Sequence, residues 1–139
     1  MKKSLIVLVL ITCILFGCGN VEELSGEMDV VNSMTLSFGD DGTVEDITVI
    51  LNRTQLDDYT ECAEEIIQKC LDNDFKSIKF SWDRGYPSEI KATVYLTETE
   101  RKNGNYTFKM VYAHDSSDLC KYNIKDNPEK FSLVIELPD

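Results

Sequence analysis

An apolar side chain at every second position recurs along this chain, and that alternation constrains its fold more than any other feature. Met34, Leu36 and Phe38 alternate with Ser33, Thr35 and Ser37. Ile47, Val49 and Leu51 follow, then Ile78, Phe80 and Trp82. Ile90, Ala92, Val94 and Leu96 form a fourth set, Tyr106, Phe108, Met110 and Tyr112 a fifth, and Phe131, Leu133, Ile135 and Leu137 a sixth. Successive side chains of a strand point to opposite faces, so this period predicts six strands with one face buried and one wet. "GDDG" at 39–42 and "KNGN" at 102–105 have the residues that hairpin turns demand. "DRGYP" at 83–87 links the third and fourth segments.

One segment has a different period. Tyr59, Cys62, Ala63, Ile66, Ile67, Cys70 and Leu71 recur at spacings of three and four, which gathers them on one face of a helix. Thr54 is the expected N-cap, with Asp57 three residues on. "DND" at 72–74 ends the helix. The expected fold is therefore α+β, in the order ββαββββ. A helix ~10 Å across cannot cover six flat strands spaced at ~4.8 Å. Either the sheet curls around the helix, or residues 113–130 or a partner cover the remainder, with Leu119, Tyr122 and Ile124 available for that cover. A mainly antiparallel sheet curled around one helix is expected. That shape is similar to cystatin-like folds, although neither Gln55 nor Gln68 begins their Gln-x-Val-x-Gly inhibitory loop.

The N-terminus has a separate logic. Lys2 and Lys3 precede an apolar run from Leu5 to Phe16, too short for a bilayer span, which takes roughly 17 to 25 residues. A basic start, an apolar run and a small residue describe an export leader. Leu15-Phe16-Gly17-Cys18 resembles the lipobox of bacterial lipoprotein signal peptides, with Phe16 bulkier than is usual there. The resemblance implies that residues 1–17 are removed and that Cys18 carries a diacylglycerol at the extracytoplasmic face of the cell membrane. Two chains on one residue give stable attachment, at ~0.8 kcal/mol per buried CH₂. Residues 18–30 then read as the lipidated cysteine and a flexible acidic tether, and 31–139 as one domain.

The whole chain has 14 basic and 25 acidic residues, and the leader takes two lysines and no acid, leaving a net charge of −13. That balance excludes nucleic acid as a partner, since phosphate binding needs basic patches. Of five cysteines, Cys13 leaves with the leader and Cys18 is lipidated. Cys62 and Cys70 lie ~12 Å apart along one helix, beyond disulfide reach. They read as buried thiols, with a bridge from Cys120 to either left open. His114 is the only histidine; its loop "YAHDSSD" cannot reach triad geometry and no Gly-x-Ser-x-Gly elbow exists. No cofactor or metal signature is found. Residues 72–83 fail the EF-hand pattern at Lys76 and Ser77, and "GDDGTVED" is a looser acidic cluster that reads as a solvated turn, with adventitious cation binding the alternative.

Two faces remain as candidate binding surfaces. Asp57, Asp58, Glu61, Glu64 and Glu65 make the solvent side of the helix acidic, suited to a basic envelope or protein partner, or to water. Lys79, Lys91, Tyr95 and Lys109 would make the outer sheet face mildly basic, or simply wet. The expected function is a lipid-anchored extracytoplasmic binding or accessory domain without catalysis. A structural subunit of an envelope assembly is the alternative, and a small hydrolase or redox enzyme a weaker one.

Overall fold

The structure is a computed structural model, and it describes residues 24–39 and 42–139. The leader, Cys18 and the first part of the tether lie outside the described residues. Strands β1 (Asp29–Phe38) and β2 (Gly42–Ile50) form an antiparallel hairpin. Helix α1 (Tyr59–Asp72) crosses to β3 (Glu89–Tyr95), which lies parallel to β2. A short helix α2 (Glu98–Asn103) leads to β4 (Phe108–His114), and β5 (Phe131–Glu136) closes the chain. Both later pairings are antiparallel, and the order across the sheet is β1-β2-β3-β4-β5. The expected class holds: a mostly antiparallel sheet carries one main helix.

Three details depart from expectation. The sheet has five strands, because Ile78, Phe80 and Trp82 belong to none of them. Their alternation serves an aromatic column: Phe80 stacks on Trp82 at 5.1 Å, and Trp82 on Tyr86 at 5.3 Å. The Asn73 side chain takes the place of a neighbouring strand. Its amide donates to the Phe80 carbonyl and its oxygen accepts from the Phe80 N–H, at 3.0 and 2.8 Å. Second, "KNGN" is no two-strand turn. Thr97 accepts from the Glu100 N–H as N-cap, and Gly104 ends α2 at φ 75°. Third, α1 starts after Asp58, whose carboxylate accepts from the Glu61 N–H at 2.9 Å. Thr54 cannot start it, because the Leu51 and Arg53 N–H groups are still bonded to the Tyr95 and Leu96 carbonyls.

The tether expected over 18–30 also overlaps the fold. Met28 and Val30 are buried, and the Gly26 N–H donates to the Asn52 carbonyl at 2.8 Å. Beyond Val30 a bulge shifts the register, so that Val30 faces Val49 but Asn32 faces Thr48. One extra residue reverses the numbering parity of the strand. Ser33, Thr35 and Ser37 consequently share the helix side with Ile47, Glu45 and Thr43. Met34, Leu36 and Phe38, expected in the core, lie on the opposite face and are exposed.

The core lies between α1 and the middle of the sheet. Cys62, Ala63, Ile66, Ile67 and Cys70 meet Ile47, Val49, Ile90, Ala92, Val94, Phe108 and Met110. The helix does not cover the whole sheet, as its width requires. Ile124 is completely buried, and Leu119 and Tyr122 are half-buried, so residues 113–130 supply part of the cover. The segment 75–88 supplies the rest along β1, with the Ser77 N–H donating to Asp29 and the Ser88 N–H to the Thr43 carbonyl.

Candidate functional site

The reversed parity of β1 gives the hairpin end of the sheet a polar helix side. Thr35, Ser37, Thr43 and Glu45 project there, beyond the reach of the core. Ser81, Asp83, Arg84 and Gly85 of the covering segment stand opposite, and the two sets enclose a hollow of about 260 Å³. Gly85 closes a turn at φ 87°, its N–H donating to the Trp82 carbonyl. That turn presents Asp83 and Arg84 at the mouth.

Glu45 is the unusual group. It is 3% exposed, in register with Thr35 on one side and Ile90 on the other. The Thr35 hydroxyl donates to its Oε1 at 2.7 Å, while its Oε2 is buried without a partner. Burial pushes its carboxyl above the usual carboxylate range, and the Thr35 hydrogen bond offsets only part of that. Ser81 donates to Asp83 Oδ2 at 2.8 Å. Arg84 makes no hydrogen bond or ion pair among the described residues. The hollow thus brings hydroxyls, the Asp83 carboxylate and the Arg84 guanidinium to one solvent-open surface above the buried Glu45 carboxyl.

The acidic side of α1 is partly consumed by the fold. Asp58 caps the helix, and Glu65 pairs with Arg53 at 3.5 Å. Asp57, Glu61 and Glu64 are exposed. On the outer sheet face, Lys91 and Lys109 lie where the alternation puts them, with Tyr95 half-buried on the same strand face. Lys91 pairs with Glu89 at 3.2 Å and has Asp46 as its strand neighbour, and Lys109 faces Glu136 in register and covers the Tyr106 ring at 4.6 Å. Lys79 is not on this face, because its strand does not exist; its ammonium donates to the Asn73 carbonyl at 2.8 Å. Lys91 is thus ion-paired, and Lys109 has a carboxylate opposite it in register.

Cys62, Cys70 and Cys120 are all free thiols. Burial pushes Cys62 up to about 11, and burial with the Glu45 charge pushes Cys70 up to about 12. Cys120 is exposed beside the hairpin tip, where a Cβ on Gly42 would stand 2.9 Å from its sulfur. His114 is buried between the Tyr122 and Phe131 rings, and its Nδ1 accepts from the Ser116 N–H. It is not the loop residue that the sequence suggested, since it ends β4. Among the described residues, no three His, Cys, Asp or Glu side chains gather as metal ligands, and no helix is long and apolar enough to cross a membrane.

The sequence reading weighed "GDDGTVED", which contains Thr43 and Glu45, and residues 72–83, which contain Ser81 and Asp83, only as cation sites, and did not bring the hollow's residues together. One signal pointed to it: Glu45 shares the parity of Ile47, Val49 and Leu51, so a carboxylate occupies a core position of a clean alternation. No protein-family model matches the chain, and neither a curated protein nor a solved structure matches it.

Proposed function

We propose that this chain is a lipid-anchored, extracytoplasmic binding domain of a bacterial cell membrane, without catalysis, whose ligand enters the Glu45 hollow. The observation that carries the binding role is the polar hollow itself, open to solvent and lined by Thr35, Ser37, Thr43, Glu45, Ser81, Asp83 and Arg84. His114 does not line the hollow, so its hydroxyls have no imidazole base beside them.

The leader pattern ending at Cys18 supports the anchor. Gly26, already bonded into the fold, is eight residues from Cys18, which limits the rise above the lipid to roughly 29 Å even for an extended chain. The test is Cys18→Ala in the native cell. Wild-type protein should incorporate labelled fatty acid and lose residues 1–17, and the variant should do neither. Equal labelling of both proteins would refute the anchor.

An assembly subunit is the second reading, favoured by Met34, Leu36 and Phe38, which stand exposed in a row on the edge strand β1.

A further inference from the structure

We propose that the free edge of β1 pairs antiparallel with β1 of a second copy, about a two-fold axis at Leu36, joining two five-stranded sheets into one. This deepens the assembly reading by naming its partner.

The edge is open where the pairing would form. β1 is the first strand of the sheet and pairs only with β2. Every second residue of an antiparallel strand turns its N–H and C=O away from its neighbour strand. Among the described residues, no backbone group from Ser33 to Ser37 has a partner outside β2. Ser77 and Ile78 stand beside Val30 to Ser33, whereas Met34 to Phe38 are all exposed. An unpaired strand edge is a template for another strand.

The sequence of that stretch matches its own reverse. With Leu36 facing its copy, Met34 faces Phe38 and Thr35 faces Ser37. The bulge has put Met34, Leu36 and Phe38 on the face away from the helix, so the two apolar rows meet along the seam. Hydroxyls meet hydroxyls on the helix side, and both kinds of cross-strand pair are favourable. A one-residue slip would set the apolar row of one copy beside the hydroxyl row of the other.

Charge favours a second copy over other occupants. The chain has a net charge of −11, yet Val30 to Phe38 contains no charged residue and no proline. Natural edges are commonly blunted by one or the other. Asp46 is in register with Met34, but Lys91 is its neighbour on the other side. A basic partner would find no acid on this edge, and an anionic lipid surface would be repelled by the rest of the chain. A second copy brings a strand equally free of charge. The ten residues of β1 are fewer than the roughly 20–30 a side of a standard interface, so the pair is weak and concentration-dependent.

The test is disulfide trapping of the full-length protein in the native cell under mild copper oxidation. Cys120→Ser removes the exposed thiol, and Cys62 and Cys70 are buried. Directly opposite residues of an antiparallel pair have Cα atoms ~4.5–5.5 Å apart, within disulfide reach. Leu36→Cys should therefore trap a homodimer. Asn32→Cys, four residues from the axis, would lie ~26 Å from its copy and should cross-link at least tenfold more slowly. Val134→Cys, exposed on the other edge strand, should be as slow. Adding Met34→Asp to Leu36→Cys should slow trapping at least fivefold. Equal rates for the three thiols would mean random collision and overturn the pairing, and fastest trapping at Asn32 would overturn the Leu36 axis. An adduct of Leu36→Cys with a different protein overturns the second copy and leaves the assembly reading standing. No adduct at all from the folded protein overturns both.

Discussion

Glu45 and Asp29 are carboxylates placed to opposite effect. Burial works against ionised Asp29, but the Ser77 hydroxyl and N–H and the Val30 N–H donate to it and hold its pKa below the usual range. Its contribution is present at neutral pH and is lost as pH falls through that lowered value. Glu45 is raised instead, so between its unfolded and folded values the native state keeps a proton that the unfolded chain has released. Stability therefore falls as pH rises through that window, and the full cost stands above it. Glu45→Gln removes the charge but keeps an acceptor for Thr35. It should stabilise the protein at pH 7 by about 1 kcal/mol, the lower end of the cost of an unsatisfied buried group. The gain should vanish in acid below the window, where Glu45 is itself neutral. Urea unfolding at the two pH values checks this, and an equal gain at both would show that shape, not charge, sets the cost.

At the scale of elements, the α1 stripe and the later strands were legible because burial there follows simple periods. The hairpin was legible as a hairpin but not by face. Nothing in Val30-Val31-Asn32 announces a bulge, and one unannounced residue reverses every later position of β1. The missing strand has another cause. Ile78, Phe80 and Trp82 alternate like a strand, yet Asn73 satisfies the Phe80 backbone from the end of α1. Asn73 also sits in the left-handed region at φ 54°, where its own N–H donates to the Cys70 carbonyl. It therefore has two separable roles, and substitution should separate them. Asn73→Gly keeps the backbone turn and loses the two side-chain bonds, a cost of about 2 kcal/mol. Asn73→Ala adds the left-handed penalty of about 1 kcal/mol more. Denaturant unfolding should rank wild type above Gly and Gly above Ala. Equal stability of the two variants would mean that the backbone conformation adds nothing.

Over the whole molecule, the parallel β2–β3 pair explains both the cover and the hollow. Parallel neighbours need a long crossover, and this one is α1 followed by the segment 75–88. The helix fills the centre, and the segment is left to cover β1, where the reversed parity offers it hydroxyls instead of a core. The alternation could not reveal that pairing, because period two is the same in parallel and antiparallel sheets. The other consequence of the reversal is the exposed row Met34, Leu36 and Phe38, 39–50% accessible, beside the free edge of β1. Free edges with apolar neighbours promote association, and here strong negative charge opposes it. That opposition fades near the isoelectric point of about 4.5. Light scattering of the full-length protein in detergent should therefore rise on titration toward that pH and reverse on return to neutrality. Phe38→Ser, which leaves the net charge unchanged, should reduce the rise, whereas Val134→Ser on the opposite edge strand should reduce it less, since Val134 stands without such a row. If both substitutions act equally, loss of charge alone drives association, and the row on β1 has no special part in it.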